Sequence, residues 1–465
     1  MPAREPIVHP YIPNSVPGVQ QEMLQAVGAQ TIDEFYADIP VELRLHRPLD
    51  LPEPLLSEAE LIRHVDGLLE RNRSTREVLS FLGAGCYRHQ VPAVCDEINS
   101  RGEFLTAYAG EPYEDHGRFQ ALFEYQSMVA ELLCMDVVNV PNYDGFQAAA
   151  TALRMAARIT SRDSVLLPAS LGADKLSMVR GYLQPDVSVR LVPFELESGL
   201  LDPAALAAGL SADTAAVYFE NPGYLGNLET RADQISAAAH AAGALSVVGV
   251  DPISLGVLRP PVDYGADLAC GDIQSLGIHM NFGGGHGGFV AGPDDPRFVM
   301  EFPSRLFGIA PTTVEGEYGF GDVAYERTSF ARREEGKEWV GTAAALWGIT
   351  AGVYLALMGP QGMREIGEGL MQRCRYLMRR VASVPGLSVP FLGTPHFTEF
   401  VLAFDRPGPT AAEVNRALLD RGILAGKDLS SEFPALGESL LVCVSELHTR
   451  PDLDRLVDAL GKVTR

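Results

Sequence analysis

Lysine and cysteine are both scarce in this chain, which has four lysines and six cysteines among 465 residues. Six cysteines are too few for a disulfide scaffold in a chain of this length. Because no two of them form a C-x-x-C pair, a zinc site is not expected either. Acidic residues (60) outnumber basic ones (37), and the net charge of -23 disfavours nucleic acid and anionic membranes as partners. With 46% hydrophobic residues, the chain is still apolar enough to build a folded core.

Segments for export or membrane insertion are not evident either. The N-terminal sequence MPAREPIVHPYIPNS lacks the apolar core of a signal peptide. Residues 339–363 carry no charge, but their apolar part, 343–359, is shorter than the about 20 residues that a membrane-spanning helix needs. We therefore predict a buried helix there rather than a membrane span, and a cytoplasmic location.

The common nucleotide and hydrolase motifs are also missing. The chain contains no G-x-x-x-x-G-K-[ST], no H-E-x-x-H, no G-x-S-x-G and no strand-linked G-x-G-x-x-G. This excludes the usual P-loop, zinc-protease, α/β-hydrolase and dinucleotide-binding interpretations.

The remaining pattern divides the chain into three parts. Residues 1–75 are expected to form a helical arm, with capping boxes formed by Thr31 and Glu34 and by Ser57 and Glu60. In 76–340, short apolar runs alternate with helical stretches, which predicts a mainly parallel sheet with helices on both faces. Residues 341–465 are expected to form a long helix and a smaller α/β domain. The central strands are predicted at 164–167, 189–192, 215–219, 245–250 and 266–269, and the helices at 145–159, 174–182, 203–210 and 232–242.

Two positions at the carboxyl ends of predicted strands could hold a ligand. Asn142-Tyr-Asp-Gly145 leads into an alanine-rich helix whose N-terminal amides suit a phosphate, although a plain helix cap explains the pattern equally well. Asp251 follows an apolar strand, at the edge where ligands of open α/β sheets collect. Its carboxylate either caps the next turn, with Pro252 at the first position, or pairs with a protonated ring nitrogen, as in pyridoxal phosphate enzymes.

A pyridoxal phosphate enzyme also needs a lysine amine to form an imine with its cofactor. The segment after the aspartate in which such an enzyme carries this lysine, 267–288, contains none. Arginine cannot replace it, because the guanidinium group stays protonated. The sequence therefore has the scaffold of such an enzyme without the residue for its covalent chemistry.

Over nearly its whole length the chain resembles subunit 1 (the α subunit) of the two-subunit glycine dehydrogenase (decarboxylating), the P-protein of the glycine cleavage system. The stretches that carry the resemblance are Tyr11-Ile-Pro-Asn14, Ala37-Asp-Ile-Pro40, Ser80-Phe-Leu-Gly-Ala-Gly85 with Tyr87 and His89, Phe123-Glu-Tyr-Gln126, Tyr143-Asp-Gly145, Asp251-Pro-Ile-Ser-Leu-Gly256, Tyr264-Gly-Ala-Asp267, Gln274-Ser-Leu-Gly277 and Tyr354-Leu-Ala-Leu-Met-Gly-Pro360.

This resemblance implies a type I pyridoxal-phosphate-dependent transferase-like (aspartate aminotransferase-like) α/β fold, with a large domain and a smaller C-terminal domain. It implies that the partner β subunit carries the lysine and binds pyridoxal phosphate covalently, so that this chain alone is inactive. The assembled enzyme decarboxylates glycine and transfers the aminomethyl group to the lipoyl arm of the H protein. This chain would keep only a vestigial pocket near Asp251, Asn142 and Gly145.

Loop residues of this chain are candidates for a catalytic pocket shared with the partner. Tyr87 and His89 follow a glycine-rich loop, and Tyr108 lies on the next loop, together with Tyr113 and His116. Aromatic and imidazole groups on loops suit such a pocket. For any single one of these residues, however, packing at the subunit interface without chemistry is the favoured interpretation, because interfaces are enriched in tyrosine. His286, among five glycines, is expected to mark a tight backbone approach or the remnant of a cofactor loop.

Three alternatives remain open. A paralogous complex could act on another small amino acid, because 278–281 and 331–341 depart from the family pattern. A self-sufficient pyridoxal phosphate aminotransferase or lyase would need a lysine from outside the usual segment, and Lys427 is the candidate. A catalytically inert partner would only stabilise or regulate the subunit that carries the lysine.

Overall fold

The computed structural model describes residues 8–9, 11–45, 47, 49–104, 116–338, 340–341, 344–405 and 408–464. The chain forms two compact units, Met1–Asn72 and Arg73–Arg465. The further division expected at residue 340 stays a prediction.

The regular structure in the described part of the N-terminal unit is helical. It contains α1 (Pro17–Ala26) and α2 (Glu58–Leu69), with 3-10 helices at Pro13–Ser15, Ile32–Tyr36 and Val41–Leu43. The first predicted capping box forms, because Glu34 Oε1 accepts a hydrogen bond from the Thr31 amide at 2.9 Å, although the helix that it starts is a 3-10 helix. The second is wrong: α2 begins after Ser57, but the Ser57 side chain makes no capping hydrogen bond.

The described part of the second unit contains ten α-helices. They are α3 (Ala93–Asn99), α4 (His116–Leu133), α5 (Gly145–Thr160), α6 (Ala173–Leu183), α7 (Pro203–Gly209), α8 (Ala232–Ala241), α9 (Pro296–Val299), α10 (Ala345–Val381), α11 (Ala411–Leu419) and α12 (Arg450–Val463). Shorter 3-10 helices lie at Gly102–Phe104, Pro252–Gly256, Pro261–Tyr264, Asn281–Gly283, Tyr325–Arg327, Ser329–Glu335 and Pro434–Leu436. The predictions for α5 to α8 are confirmed to within one residue at each end.

Fifteen strands lie in the described part of this unit. They are β1 (Leu79–Ser80), β2 (Val137–Val138), β3 (Ser164–Pro168), β4 (Ser188–Val192), β5 (Thr214–Glu220), β6 (Leu245–Val250), β7 (Leu268–Asp272), β8 (Gly288–Gly292), β9 (Phe307–Pro311), β10 (Tyr318–Asp322), β11 (Leu387–Ser388), β12 (Glu399–Phe404), β13 (Ile423–Leu424), β14 (Lys427–Asp428) and β15 (Ser439–Cys443). β7 begins two residues later than predicted, because a 3-10 turn and Gly265, in the left-handed region at φ 89°, precede it.

Seven strands form the central sheet, in the order β2-β8-β7-β6-β5-β3-β4. The five strands from β7 to β4 are parallel, whereas β8 runs antiparallel to β7 and β2 antiparallel to β8. The mainly parallel sheet predicted from the sequence is thus confirmed. β5 and β6 are buried along nearly their whole length, which explains why they read as continuous apolar runs. A second, antiparallel sheet has the order β11-β12-β15-β14.

The uncharged segment before residue 360 forms the first part of α10. Two of its glycines, Gly348 and Gly352, are buried against Tyr125 of α4. A Cβ at Gly348 would lie 3.0 Å from Pro141 and 3.3 Å from the Tyr125 ring, which is a crowded position, whereas one at Gly352 would make an ordinary contact at 3.4 Å. The helix is interrupted at Gly359, which has φ 58° and precedes Pro360. In the described ranges no helix is long and apolar enough to cross a bilayer.

Candidate functional site

A cavity of about 340 Å³ lies at the carboxyl end of the central sheet. Its walls come from the ends of β6 and β7, the first turn of α5, the loop after β1, and the start of β12 and β14. Glycine is required at Gly271, because a Cβ there would overlap the carbonyl oxygen of Val250 on the neighbouring strand. Ligands of open α/β sheets bind at this edge.

Asp251 lies in the cavity wall and also caps the turn after β6. Its Oδ1 accepts hydrogen bonds from the Ile253 amide at 3.0 Å and from Ser275 Oγ at 3.1 Å. Burial raises the pKa of Asp251 to about 6. The capping role considered from the sequence is therefore present, and the carboxylate lines the cavity as well.

Glu399, which sequence reasoning missed, is a second carboxylate in the wall. It is only 4% exposed, and burial raises its pKa to about 7. Its Oε1 accepts from the Ala84 amide at 2.7 Å, and its Oε2 accepts from the Tyr87 hydroxyl at 3.1 Å. The signal in the sequence was a single charge at the start of an otherwise apolar strand.

The two described catalytic candidates lie against the segment after β7. The Tyr87 amide donates to Gln274 Oε1 at 2.9 Å, and burial raises the pKa of the Tyr87 hydroxyl well above its ordinary value. His89 Nε2 lies 2.9 Å from the carbonyl oxygens of Gln274 and Ile278. Tyr87 lines the main cavity, and both residues line a smaller one of about 30 Å³ beside it.

The other loop candidates cannot be located. Tyr108 and Tyr113 lie outside the described residues, and only the backbone of His116, the first residue of α4, is described.

The N-terminus of α5 is already occupied by carboxylates. Asp144 accepts from the Gln147 amide at 2.7 Å, and Asp272 Oδ2 accepts from the Gly145 amide at 2.8 Å. Asn142 is fully buried, and its side chain bonds to Asn139 and Thr151. The helix start therefore has the plain-cap geometry, and the Gly145 amide is not free to bind a phosphate.

Two of the four lysines line the cavity. Lys175 Nζ lies 2.5 Å from Glu220 Oε1; burial lowers the pKa of Lys175, but the nearby charge of Glu220 outweighs this and raises it. Lys427 Nζ donates to the Tyr224 hydroxyl at 2.7 Å and lies 3.1 Å from Glu432 Oε2. Each amine is therefore held by a carboxylate.

A third cation of the cavity is His286, for which the sequence suggested a backbone role. Its Nδ1 lies 3.1 Å from Asp272 Oδ2. Hydrogen bonds with Asp272 and with the Cys86 thiol raise the pKa of His286 to about 10. Asp272 was missed because the strand was predicted to end at residue 269, whereas it continues to Asp272.

These residues do not fit pyridoxal phosphate as a covalently bound group. A carboxylate fills the helix N-terminus that a cofactor phosphate needs. Segment 267–288 contains no lysine, and both cavity lysines are engaged in ion pairs. Among these residues, only Asp251 matches a group that the cofactor needs, namely a carboxylate that pairs with its protonated ring nitrogen.

A sequence model of the family described as Glycine cleavage system P-protein matches residues 9–460. A relative from Staphylothermus marinus, named probable glycine dehydrogenase (decarboxylating) subunit 1, is 37% identical over 464 residues, which cover 98% of each chain. The crystal structure of a glycine decarboxylase (P-protein) of the glycine cleavage system, in inhibitor-bound form, has a TM-score of 0.81 and 36% identity; the match covers 98% of this chain and 100% of that one.

A more distant structure has the same fold. The sphingosine-1-phosphate lyase of Burkholderia pseudomallei is 16% identical, with a TM-score of 0.63, over 90% of this chain and 92% of its own. Together with the P-protein structure, this likeness confirms the expected type I transferase-like α/β fold.

Proposed function

The chain belongs to the glycine cleavage system P-protein family, and from this premise we propose that it is the non-lysine (α) subunit of a glycine decarboxylase. Together with a lysine-bearing β subunit it decarboxylates glycine, and the aminomethyl group passes to the lipoyl arm of the H protein. The observation that carries the proposal is a match to subunit 1 over almost the full length, in a chain whose segment 267–288 contains no lysine.

We further propose that pyridoxal phosphate is bound covalently by the β subunit. When bound, the cofactor delocalises the electrons left by the departing carbon dioxide. The ion pairs of Lys175 and Lys427 support this assignment, since a protonated amine held by a carboxylate is a poor nucleophile.

This chain contributes Tyr87 and His89, and from the next loop Tyr108, to a pocket shared by the two subunits. Tyr87 joins the glycine-rich loop to Glu399 and Gln274, and His89 joins it to the carbonyl groups of Gln274 and Ile278. These bonds fix the loop, so that it presents a rigid wall to the partner.

The N-terminal arm supports the assembly with a second subunit. Many of its large apolar side chains are exposed, among them Phe35 (59%), Leu56 (84%) and Leu69 (60%). Extensive apolar surface of this kind marks protein interfaces.

The test is to co-express the chain with a lysine-bearing subunit and to measure glycine-dependent carbon dioxide exchange in the presence of H protein. We expect exchange only when both subunits are present. Borohydride reduction is expected to leave a pyridoxyl group on the β subunit and none on this chain.

One observation favours a second candidate, a self-sufficient enzyme, because Lys427 does line the cavity. That alternative predicts a pyridoxyl group on Lys427 at full occupancy when this chain is reduced by itself with the cofactor. Such an adduct, lost in Lys427→Met, would overturn the subunit assignment.

The variants Tyr87→Phe and His89→Ala, made in the assembled enzyme, test the alternative that the α subunit is catalytically inert. We expect both to lower turnover while assembly, followed by size-exclusion chromatography, stays intact. Unchanged turnover in both variants would support the inert subunit instead.

A further inference from the structure

The main cavity, of about 340 Å³, has more carboxylates than cations in its wall. The described residues that line it include six aspartate and glutamate side chains, but only two lysines and one histidine. A cavity whose wall carries mostly one sign of charge attracts ligands of the opposite sign. The charge of the wall therefore favours a cationic ligand over an anionic one.

Four of the six carboxylates are already engaged within the chain. Three of them lie beside the cations of the wall: Glu220 beside Lys175 at 2.5 Å, Asp272 beside His286 at 3.1 Å and Asp174 beside Lys427 at 4.0 Å. The fourth, Asp144, accepts from an amide at the start of α5, where the helix dipole stabilises a negative charge. Because all three cations are bound to carboxylates, a carboxylate or phosphate group of a ligand would find none of them unpaired.

The other two carboxylates, Asp251 and Glu399, bond only to neutral donors. Asp251 Oδ1 accepts from one amide and one hydroxyl, and none of the described residues donates to its Oδ2. Glu399 is 4% exposed and also accepts from one amide and one hydroxyl. The imidazole of His89 is near enough to act on Asp251, but its Nε2 lies 2.9 Å from two backbone carbonyl oxygens. A buried carboxylate without a cation is costly to ionise, and a positive charge placed in the cavity removes that cost.

The wall also provides aromatic rings, which attract cations. Lys175 Nζ lies 5.7 Å from the centre of the Phe146 ring, and Lys427 Nζ lies 5.3 Å from that of Tyr224. Tyr87 lines the cavity too, and its ring faces no cation among the described residues. The volume of the cavity lies in the range of small-molecule sites. It is therefore large enough for an amine with a small apolar body.

We propose that the cavity is a binding site for a small primary amine in its protonated form, which supplies the positive charge missing beside Asp251 and Glu399. The ligand carries no carboxylate or phosphate, since each cation of the described wall is held by a carboxylate of the chain. Free glycine is thus a poor occupant. The binding is not a step of the reaction proposed for the assembled enzyme, and it does not depend on that assignment.

The first measurement compares three probes of similar shape by isothermal titration calorimetry on the full-length chain. Benzylamine is the cation, benzyl alcohol is neutral, and 4-(aminomethyl)benzoate adds a carboxylate to the amine. We expect one benzylamine to bind per chain, about tenfold or more tighter than either of the others. Equal affinity for the alcohol would show that charge is irrelevant, and equal affinity for the aminomethylbenzoate would show an unpaired cation. Either result overturns the proposal.

The second measurement places the amine in the cavity. Asp251→Asn and Glu399→Gln keep the shape of each side chain but remove its charge, and each should weaken benzylamine binding by about tenfold. The control Glu365→Gln, at an exposed position of α10, should leave the affinity unchanged. Near-ultraviolet circular dichroism shows whether each variant keeps the wild-type fold.

Adsorption to the surface is the competing explanation, because the chain carries a net charge of -23. Several benzylamine molecules per chain, bound equally well by the wild type, Asp251→Asn and Glu399→Gln, would mean adsorption only and would overturn the site. The comparison of the three probes uses the wild type alone, and it therefore decides the proposal even where a variant fails to fold.

Discussion

At the scale of single residues, the cavity is a place where burial and ion pairing oppose each other. Asp251 and Glu399 have raised pKa values because they are buried, whereas Lys175 and His286 stay protonated because carboxylates lie beside them. Buried carboxylates that lack a cation partner cost stability when they ionise. Glu399 is the clearest case, since both of its oxygens bond to neutral donors.

Glu399→Gln should stabilise the protein at alkaline but not at acidic pH. Because the folded-state pKa of Glu399 rises from 4.5 to about 7, the folded state binds this proton more tightly than the unfolded chain does. As the pH rises from 4.5 to about 7, the unfolding free energy of the wild type therefore falls by about 3 kcal/mol at most. The neutral glutamine avoids this loss, so the difference in unfolding free energy between variant and wild type should grow from pH 4 to pH 8 in urea titrations.

The control for this variant is Glu365→Gln, at an exposed position of α10. It should leave the pH dependence of the unfolding free energy unchanged. If Glu399→Gln gave the same pH profile as the wild type, the carboxyl group would have its ordinary pKa in the folded protein.

A cavity residue could be predicted from the sequence only when its neighbours along the chain marked it. Asp251 was identified because one polar residue ends an apolar strand, which is visible within a short window. Glu399 meets the loop after β1 only through a contact over 315 residues of sequence, in which the Ala84 amide donates to a side chain of the C-terminal sheet. No periodicity in the sequence encodes such a meeting.

At the scale of elements, the helices and strands followed local rules closely. α8 ends shortly before Gly243, which has φ 69°, a conformation that glycine adopts without strain. Sheet order was not predictable from the same pattern, because the alternation of strands and helices does not tell which strands are neighbours. The antiparallel positions of β8 and β2 arise from loops that follow no simple spacing.

Thr410→Ala should destabilise the second unit, Arg73–Arg465, by about 1 kcal/mol. Thr410 Oγ1 accepts from the Glu413 amide at 3.2 Å, and Glu413 Oε2 accepts from the Thr410 amide at 2.9 Å, so this capping box does form. The alanine variant removes the hydroxyl that accepts from the Glu413 amide, whereas the backbone amide at position 410 can still donate to the Glu413 carboxylate. Thr410→Ser keeps the hydroxyl and should cost only a few tenths of a kcal/mol by chemical denaturation. An equal loss in both variants would show that the methyl group, and not the cap, matters.

At the scale of the whole molecule, two features support the proposal that the chain works with a partner subunit. In its cavity, the Asp272 carboxylate accepts from the first amide of α5, where a cofactor phosphate would otherwise bind. Its N-terminal arm presents apolar side chains to solvent. The missing lysine is visible in the sequence itself. The exposure of the arm is not, because capping boxes and apolar periodicity indicate a helix without telling which surface covers it.

Replacing the apolar side of α2 should therefore weaken assembly without affecting the chain itself. Leu61 and Val65 lie one turn apart and are 47% and 41% exposed. We expect Leu61→Gln combined with Val65→Gln to weaken association with the lysine-bearing subunit by about tenfold or more, as measured by co-purification and sedimentation. The melting temperature of the isolated chain should not change, and Arg63→Gln on the same helix should leave association intact. A lower melting temperature of the isolated chain would mean instead that this side of α2 packs within the chain, and unchanged association would exclude it from the interface.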